Sequence, residues 1–570
     1  MRTYPHHLTT DLPVLPVPRL DESLERYRKA AAAVLDANGE ANVNQAIADF
    51  AIGQAPALQQ TLEEYAQALS ESGSNWMAEP WLERALQNRQ PLLLSSNVTY
   101  QLNLPTEATR ARRVVELLQR IGAIHIQQAK RATPEEVNVA GQRLSMDGWA
   151  CFNGGIRTPA ADEDLWMRAG TGATYRTIGV LHLGRMWEVP LTGSEGKLLN
   201  ASQLRASIEY VLSQTQPGKS SFAGFSTLGS AILAEQAPWR NETHRATFDR
   251  LVNMLFIITV DPNGEDDAQT LLRWAFCPGN AWAYKPISYQ ASLDTNMLTA
   301  NVEHSVLEAG TLATAVTRMQ NVDTNTLDTQ SEPTLPRATE LTWQDNDYDL
   351  NEYSTQANTL KTERVLVRRD HHLPYEMRDD ARTHLILMIA QQQTFGSIRA
   401  HRQDIDMRHF RAGRTDTLRP VTLEAVSFVE SLVHGNATVN QLHAALNAHG
   451  EWVQATVNGQ AFDRHFFMLQ HIGAELGGAN ATLFTQHTDA LEDFLTVSSP
   501  GDSDAFIRAI AAPSIEHGFH IHYTPVAAGT EFLVTWVDGT PQAEALYRNL
   551  QPAAELLYDF IATIEPIHPV

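Results

Sequence analysis

The chain has very little cysteine and no long apolar segment. Only two cysteines occur among 570 residues, Cys151 and Cys277, and their surroundings are unrelated. This excludes a disulfide framework and a cysteine-based metal site, and it favours a reducing compartment. The N-terminal stretch is interrupted by prolines and has no apolar core, so we expect no signal peptide and a cytoplasmic location. The longest apolar runs, MLFIITV and LILMIA, are too short to span a membrane.

Basic residues are scarce relative to acidic ones. Lys and Arg number 43 against 66 Asp and Glu, which gives a formal net charge of -23. A field of that sign repels nucleic acid and anionic membrane surfaces, so neither is expected as a partner. An anionic substrate would need a local basic pocket to overcome the field.

The length exceeds what one hydrophobic core serves, so two domains are expected. The alternating segment YRTIGVLHLGRMWEV predicts two strands joined by a turn at Gly184. Helices are predicted at roughly Gly310–Gln320 and over Asp379–Ile398. The polar stretch DTNTLDTQSEPTLPRATELTWQDND, from Asp323, is predicted to be an exposed connection that contains the domain boundary.

One short stretch, NVEHSVLEAG, carries the residues best suited to catalysis. Histidine is the usual general base near neutral pH, and a carboxylate can hold its imidazole in one tautomer. His304 and Glu308 have the spacing for such a pair. On spacing alone a surface pair is the more frequent outcome, and the chain contains a second copy, His372 with Glu376. The wider context has to decide between the two interpretations.

Several segments, in order along the chain, resemble those of a known family. They are LPVPRLDESLERY, NWMAEPWLERALQNRQPL, NAWAYKPISYQASLDTNMLTANVEHS, FRAGRTDTLRPVT, AFDRHFFML, FLTVSSP and HGFHIHYTP. Together they resemble the choline/carnitine O-acyltransferases from about Leu12 to Tyr558. Two departures are Ser230 and Tyr284, which stand where the family usually has an arginine and an acid.

The resemblance implies an α/β fold. It consists of two similar chloramphenicol-acetyltransferase-like domains, each a mixed β-sheet packed with α-helices, with the active-site channel at their interface. We therefore expect residues 1–90 to form N-terminal helices that pack with the C-terminal domain. Residues 91–335 are expected to form the domain with the catalytic histidine, and residues 336–570 the domain with the acceptor and donor sites.

The resemblance also implies catalytic roles. His304 matches the family's catalytic base, and Glu308 matches the acid that orients it. Ser498 corresponds to the hydroxyl that stabilises the oxyanion, although Val497 departs from the family's Ser-Thr-Ser segment. The implied reaction moves an acyl group from a thioester to a hydroxyl, with no bound cofactor and no metal. The alternatives are a surface acid for Glu308 and an ordinary strand-end serine for Ser498.

The acceptor site departs most from the family. Thr415 and Arg464 match residues that hold the carboxylate of carnitine, and Thr496 lies in the Ser-Thr-Ser segment. Arg402 stands at a tyrosine place, and Ala511 replaces an aromatic residue beside the trimethylammonium group. No neutralising partner for Arg402 is evident in the motif, so two arginines in one pocket predict an acidic hydroxy acceptor with one or two anionic groups, and carnitine is expected to be at best a poor substrate.

The donor site and the acyl pocket are altered too. Arg369 and Leu373 stand at the two lysine places for the CoA 3′-phosphate, and Arg368 could also bind phosphate. Asp380 matches the Asp of a Ser-Pro-Asp-Ala segment. The donor is expected to be acyl-CoA or a phosphopantetheine thioester on an acyl carrier protein. Ala509 aligns with a position that is Met in short-chain and Gly in long-chain enzymes, which predicts an open pocket and a medium or longer acyl group.

Other interpretations stay open. Arg402 could instead pair with Asp404 or Asp406 at the surface. His517, His520 and His522 could approach a metal ion, but no carboxylate motif accompanies them, so no site is expected. HHLPYE, from residue 371, resembles a condensation-enzyme motif but aligns with the donor-site loop. The alternative functions are a true carnitine O-acyltransferase, a carrier-protein-dependent acyltransferase of specialised metabolism, and a non-catalytic binding protein.

Overall fold

The computed structural model describes residues 11–69, 73–170, 175–218, 221–236, 241–335, 337–342, 349–369, 377–476, 483–484, 488–501 and 503–564. Its helices are α1 (Leu20–Ala32), α2 (Ala37–Ile52), α3 (Ala55–Leu69), α4 (Ala78–Leu86), α5 (Leu92–Ser95), α6 (Arg110–Ala129), α7 (Ala201–Leu212), α8 (Ser221–Gly224), α9 (Ser230–Gln236), α10 (Glu242–Asn253), α11 (Ala268–Phe276), α12 (Ala309–Gln320), α13 (Asn351–Thr359), α14 (Asp379–Phe395), α15 (Leu423–Val433), α16 (Val439–Val457), α17 (Asp463–Glu475), α18 (Ala543–Arg548) and α19 (Leu550–Ala562).

The strands are β1 (Val98–Leu102), β2 (Ile156–Thr158), β3 (Leu165–Met167), β4 (Thr177–His182), β5 (Arg185–Pro190), β6 (Leu198–Leu199), β7 (Ile257–Asp261), β8 (Ile287–Ser292), β9 (Leu298–Val302), β10 (Thr329–Gln330), β11 (Thr339–Leu341), β12 (Leu360–Arg368), β13 (His401–Asp406), β14 (Thr415–Leu418), β15 (Leu495–Ser498), β16 (Phe506–Ile510), β17 (Phe519–Val526) and β18 (Gly529–Val537). Short 3-10 helices cover Asp147–Asn153, Phe225–Thr227 and Thr488–Leu491.

The chain divides into two compact units. The first includes the described parts of Trp81–Thr362 and Pro500–Ala512, and the second those of Thr9–Pro80, Glu363–Ser499 and Pro513–Val570. The sequence predicts boundaries at residues 90 and 335, whereas the units change over at 80/81 and 362/363. Each unit contains a mixed β-sheet packed with α-helices, so the predicted fold class is confirmed.

The first unit is built on an eight-stranded sheet in the order β11-β5-β4-β7-β8-β9-β1-β16. β4, β7 and β8 are parallel, while β8, β9, β1 and β16 alternate in direction. Every residue of β8 and β9 is buried, as expected for strands at the centre of a covered sheet. The predicted hairpin is confirmed, because β4 and β5 pair around Gly184, whose φ is 73°.

The polar connection from Asp323 is not only a linker. It contributes β10, which pairs with β6, and β11, which pairs with β5 at the edge of the large sheet. Thr and Glu residues suit edge strands, whose outer side faces water, so their composition resembles that of a loop. The part of this stretch that the structure describes therefore belongs to the first unit.

The main core of the first unit lies where helices cover the sheet. α6 buries apolar residues three and four apart, at Val114, Leu117, Leu118 and Ile121. α12 contributes Leu312, Ala315, Val316 and Met319 to the same cluster. Because α12 follows β9 after a short turn, this packing fixes the position of the turn.

The second unit has a six-stranded sheet in the order β12-β18-β17-β15-β13-β14. β13, β15 and β17 are parallel and lie side by side. α14 is buried over eleven consecutive residues, Ala381 to Gln391, which explains its run of apolar residues. It ends at Phe395, three residues before the predicted end, because the next residue, Gly396, has a left-handed backbone with a φ of 71°.

Candidate active site

His304 lies in a turn between β9 and α12 of the first unit. Its Nδ1 atom is 3.3 Å from Oε2 of Glu308. The side chain of His304 is 27% exposed, whereas that of Glu308 is 7% exposed. The imidazole therefore reaches solvent while its carboxylate partner is enclosed, and the structure brings together the two residues that the sequence pairs.

Glu308 occupies the position immediately before α12, where a side chain often caps the helix. It makes no capping hydrogen bond and reaches His304 instead. The partial positive charge of the helix N-terminus favours a carboxylate at this place. When the Nδ1–H group of the imidazole donates a hydrogen bond to Glu308, Nε2 keeps a lone pair that can accept a proton. The pair has the geometry of a general base with an orienting acid.

The residue before the histidine, Glu303, is fully buried and anchors the turn. Its Oε2 accepts a 2.5 Å hydrogen bond from the Ser305 hydroxyl, and its Oε1 accepts a 3.0 Å hydrogen bond from Nη1 of Arg157. The Cys151 thiol donates to the carbonyl of Val306 at 3.7 Å. The turn is therefore held by β2 and by the 3-10 helix that precedes it.

Arg157 is the centre of a buried ion-pair network that no local sequence pattern signals. Its Nε donates to Oδ2 of Asp164 at 2.6 Å, and Arg89 donates to Oδ1 of the same carboxylate at 2.8 Å. Burial alone would lower the pKa of Arg157, but the carboxylates of Glu303 and Asp164 outweigh burial and raise it. The guanidinium is therefore a fixed cation beneath the turn.

Two of the departures from the family pattern, Ser230 and Tyr284, touch each other. The hydroxyl oxygens of Ser230 and Tyr284 are 2.9 Å apart, and Ser230 also donates to Asp164 at 2.6 Å. Tyr284 donates to the carbonyl of Leu228, and its burial raises the pKa of the phenol. An arginine and an acid at these places would add one charge of each sign, so the neutral pair leaves the charge balance of the network unchanged.

β16 places Ala509 in the apolar core. Its Cα is opposite that of Tyr100, which in turn is opposite Ala300, and Ala509 is 1% exposed. The Tyr100 ring lies 4.7 Å from that of Phe506, and all four residues belong to one cluster. Paired residues of neighbouring strands share a face of the sheet, so Tyr100, Ala300 and Ala509 lie on one face, and the open acyl pocket beside Ala509 stays a prediction. Ala511 follows the strand and is half-buried.

In the second unit, three parallel strands present polar residues on one face of the sheet. Arg402, Thr496 and His520 are neighbours in register, and Ser498 is the neighbour of His522. The Ser498 hydroxyl is 2.9 Å from Nδ1 of His522 and 3.3 Å from Nε2 of His520. The sequence suggests these histidines only as metal ligands, and it carries no local signal of their contact with the serine.

Arg402 is neutralised by two carboxylates, so the expectation that it has no neutralising partner is wrong. Its guanidinium lies 3.1 Å from Asp404 and 3.2 Å from Asp493. The charge of Asp404, and then that of Asp493, raises the pKa of Arg402 against the effect of burial. Asp493 also pairs with Arg419, which pairs with Asp463. Arg402 is therefore not an unpaired cation. Its pairing with Asp404, the alternative interpretation of the sequence, is the one observed.

Arg464 and Thr415 form the other part of the predicted acceptor site. The Nε of Arg464 donates to the backbone carbonyl of Thr415 at 3.3 Å, and the guanidinium is buried. Burial lowers the pKa of Arg464 to about 10 and raises that of the neighbouring Asp416 to about 7. Because burial disfavours the charge of Arg464, an anion bound to this guanidinium would stabilise it.

Two of the three predicted donor residues lie at the end of β12 and the third lies in α14. Arg368 ends the strand, Arg369 follows it, and both are exposed. Asp380 lies in the first turn of α14, where its carboxylate is 3.2 Å from Nε2 of His449 and 3.1 Å from Nε of Arg378. Burial would raise the pKa of Asp380, but the hydrogen bond and charge of His449, followed by those of Arg378, lower it. Asp380 is thus already an ion-pair partner.

Other predictions fall elsewhere. Leu373, His372 with Glu376, and the HHLPYE segment lie outside the described residues. His517 sits in a turn with a φ of 62°, its side chain is 55% exposed, and it approaches Glu516. Within the described ranges, no three His, Cys, Asp or Glu side chains are grouped to hold a metal ion. In the same part of the chain, no helix combines the length and apolar character needed to cross a membrane.

Comparison with known proteins shows what the chain is similar to. A family model described as choline/carnitine O-acyltransferase matches residues 15–552. The chain is similar to carnitine O-acetyltransferase of Mus musculus, with 23% identity over 94% of this chain and 90% of the relative. It is similar to the liver isoform of carnitine O-palmitoyltransferase 1 of Homo sapiens, with 23% identity over 81% and 64%. Among solved structures, the starter condensation domain of rhizomide synthetase RzmA is 10% identical, with coverages of 86% and 98% and a TM-score of 0.32.

Proposed function

The chain belongs to the choline/carnitine O-acyltransferase family, and from that premise we propose that it moves an acyl group from a thioester to a hydroxyl of a small acceptor that carries an anionic group. The protein is an acyltransferase, and the family's donor is acyl-CoA. The observation that carries the proposal is the pairing of His304 with Glu308 in a turn anchored by Glu303. That pairing supports a base held in one tautomer at a place that solvent reaches.

The reaction follows from these groups. Nε2 of His304 takes the proton of the acceptor hydroxyl, and the resulting alkoxide oxygen attacks the thioester carbonyl carbon. The negative charge that develops on the carbonyl oxygen is stabilised by the hydroxyl of Ser498. Collapse of the intermediate breaks the carbon–sulfur bond, and the departing thiolate takes the proton back from the imidazolium. Glu308 stabilises that imidazolium without itself becoming protonated.

The acceptor's anionic group is assigned to Arg464, and Thr415 and Thr496 are assigned to the same acceptor site. The buried guanidinium of Arg464, whose pKa is lowered to about 10, supports this assignment. Arg402 no longer supports a second anionic group, because Asp404 and Asp493 already neutralise it. One carboxylate on the acceptor is therefore sufficient.

Removal of the Arg464 charge is expected to weaken acceptor binding selectively. Arg464→Met should raise the KM for the acceptor about 10–100-fold, since a charge-assisted hydrogen bond contributes about 1.5–3 kcal/mol. The KM for the acyl thioester should stay unchanged. The measurement is thiol release with hydroxy acids, carnitine and choline as acceptors, with the acylated product identified by mass spectrometry.

The matched control is Arg399→Met, because Arg399 pairs with Glu492 and lies over the ring of Phe494. It should leave both KM values unchanged. Choline, which carries no carboxylate, as the best acceptor of the native protein would contradict the assignment of Arg464. Absence of acyl transfer to every acceptor would contradict the proposed function itself.

Carnitine is the second candidate acceptor, and the pairing of Arg402 favours it. A neutralised guanidinium repels a trimethylammonium group much less than an unpaired one would. Ala511, in place of an aromatic wall, still argues against tight binding of that group. The acceptor panel therefore distinguishes carnitine from hydroxy acids that lack a cation.

The donor site is expected to discriminate little between CoA and dephospho-CoA. Arg368 and Arg369 are exposed, and exposed ion pairs contribute about 0–1 kcal/mol, so loss of the 3′-phosphate should lower kcat/KM less than about fivefold. The measurement compares thioesters of CoA, dephospho-CoA, pantetheine and an acyl carrier protein. Arg369→Ala serves as control and should remove the remaining difference. A penalty of tenfold or more for dephospho-CoA would instead indicate a conventional CoA site.

A further inference from the structure

The catalytic serine candidate is flanked by two histidines. Nδ1 of His522 is 2.9 Å and Nε2 of His520 is 3.3 Å from the Ser498 hydroxyl oxygen. Both imidazoles are buried, with 2% and 4% of their surface exposed. β15 and β17 are parallel here, and their backbone register puts the side chains of Ser498 and His522 side by side. The three groups are therefore placed by the sheet and not by a loop.

The number of hydrogen-bond donors and acceptors on the three side chains limits how they can pair. A serine hydroxyl has one hydrogen to donate and two lone pairs that accept. A neutral imidazole donates from one nitrogen and accepts at the other. Burial lowers the pKa of His520 to about 4, so this ring is neutral under ordinary conditions. If Ser498 gave its hydrogen to either ring, it would have none left for a reaction intermediate.

We infer that His520 and His522 are positioning residues that direct the Ser498 hydroxyl hydrogen toward the oxyanion of the acyl-transfer intermediate. His522 donates from Nδ1 and His520 donates from Nε2, so that both lone pairs of the serine oxygen are occupied. The hydroxyl hydrogen then points away from both rings. This inference rests on the proposed function, because it gives Ser498 the task of stabilising an oxyanion.

Fixing the direction of the Ser498 hydroxyl should stabilise the oxyanion more strongly. A donor that is already aimed at the developing charge needs no reorganisation at the moment of reaction, and in a water-poor site it is worth more than in water. A serine hydroxyl without such neighbours can rotate and donate its hydrogen to a nearby carbonyl. Two donors bound to its oxygen restrict this rotation. The histidines thus act on the rate through Ser498 and need not touch the substrate.

The test is a double-mutant cycle on the full chain. Ser498→Ala should lower kcat about 10²–10³-fold, the range for loss of one oxyanion donor. His522→Leu should lower kcat about tenfold with little change in either KM. In the Ser498→Ala background the same substitution should have almost no effect, because its route of action is gone. His522→Leu that lowers kcat by the same factor in both backgrounds would overturn the inference.

Conservative variants test the hydrogen-bond assignment and guard against misfolding. Asparagine places an N–H close to where Nδ1 lies, and glutamine places one close to where Nε2 lies, so His522→Asn and His520→Gln should retain most of the native kcat. Loss of activity in His522→Asn equal to that in His522→Leu, with unchanged thermal unfolding, would also overturn the inference. His517→Asn is the control, since His517 lies outside the cluster and should have no effect.

Two outcomes separate this inference from the proposed function. If the native protein transfers no acyl group, the proposed function fails. If Ser498→Ala lowers kcat while His522→Leu and His520→Leu both retain native kcat, only the role of the histidines fails.

Discussion

His304→Ala is expected to lower kcat about 10²–10⁴-fold, the contribution of a general base. The side chain is partly exposed and lies in a turn whose anchors are Glu303 and Cys151, so the fold should be retained. The measurement is thiol release under saturating substrates, together with the thermal unfolding midpoint. Near-native turnover in the folded variant would remove His304 from the mechanism.

Two further variants sharpen this result. Glu308→Gln keeps a hydrogen-bond acceptor for Nδ1 but loses the charge that stabilises the imidazolium, so its loss of kcat should be smaller than that of His304→Ala. His434→Ala is the control, because His434 is exposed and its Nδ1 bonds to a carbonyl of its own helix. It should retain full activity.

Arg157→Met is expected to destabilise the first unit by about 3–5 kcal/mol, since it leaves the buried carboxylates of Glu303 and Asp164 without their shared cation. The turn that carries His304 loses an anchor at the same time, so kcat should fall even in the fraction that stays folded. The measurements are the thermal unfolding midpoint and kcat per folded molecule. An unchanged midpoint would show that the network carries no stability.

Arg89→Met is the matched control for Arg157→Met. Arg89 contacts only one of the two carboxylates, Asp164, and its side chain is 23% exposed. Asp164 would keep its bond to Arg157, so the loss of stability should be much smaller. A comparable loss in both variants would place the effect at Asp164 and not at the turn.

Local patterns in the sequence predict local structure well. The hairpin at Gly184 and the helix after the turn that carries His304 are confirmed, the latter within one residue at its start and without error at its end. α14 ends three residues earlier than predicted because Gly396 adopts a left-handed backbone. The apolar pattern of the sequence does not by itself mark this end. Such elements depend on residues a few positions apart, which a sequence displays directly.

Contacts between distant residues are the part that sequence does not display. Arg157 and Glu303 are 146 residues apart, and Arg402 and Asp493 are 91 apart. Arginines and acids are too common for such partners to be paired without a fold. For Arg402, the partner two residues away, Asp404, was open to sequence reasoning as an alternative, whereas Asp493 was not.

The same limit applies to the acyl pocket and the oxyanion group. The size of Ala509 is visible in the sequence, but its neighbour in register, Tyr100, is supplied by another strand. One sequence signal does point to His522. FLTVSSP and HGFHIHYTP, which contain β15 and most of β17, both resemble family segments, and aligning the two as neighbouring strands would place Ser498 near His522. The fold supplies the register that turns this signal into a contact.

The position of β16 has a consequence for how the chain folds. β1 pairs with β9 on one side and with β16 on the other, and 407 residues separate Gln101 from Arg508, which bond across this pair. At about 5–20 residues per second of synthesis, β1 is complete roughly 20–80 s before β16 exists. During that interval one edge of β1 is an open template for pairing with other chains. The nascent first unit therefore has to be shielded along this edge until synthesis is almost finished.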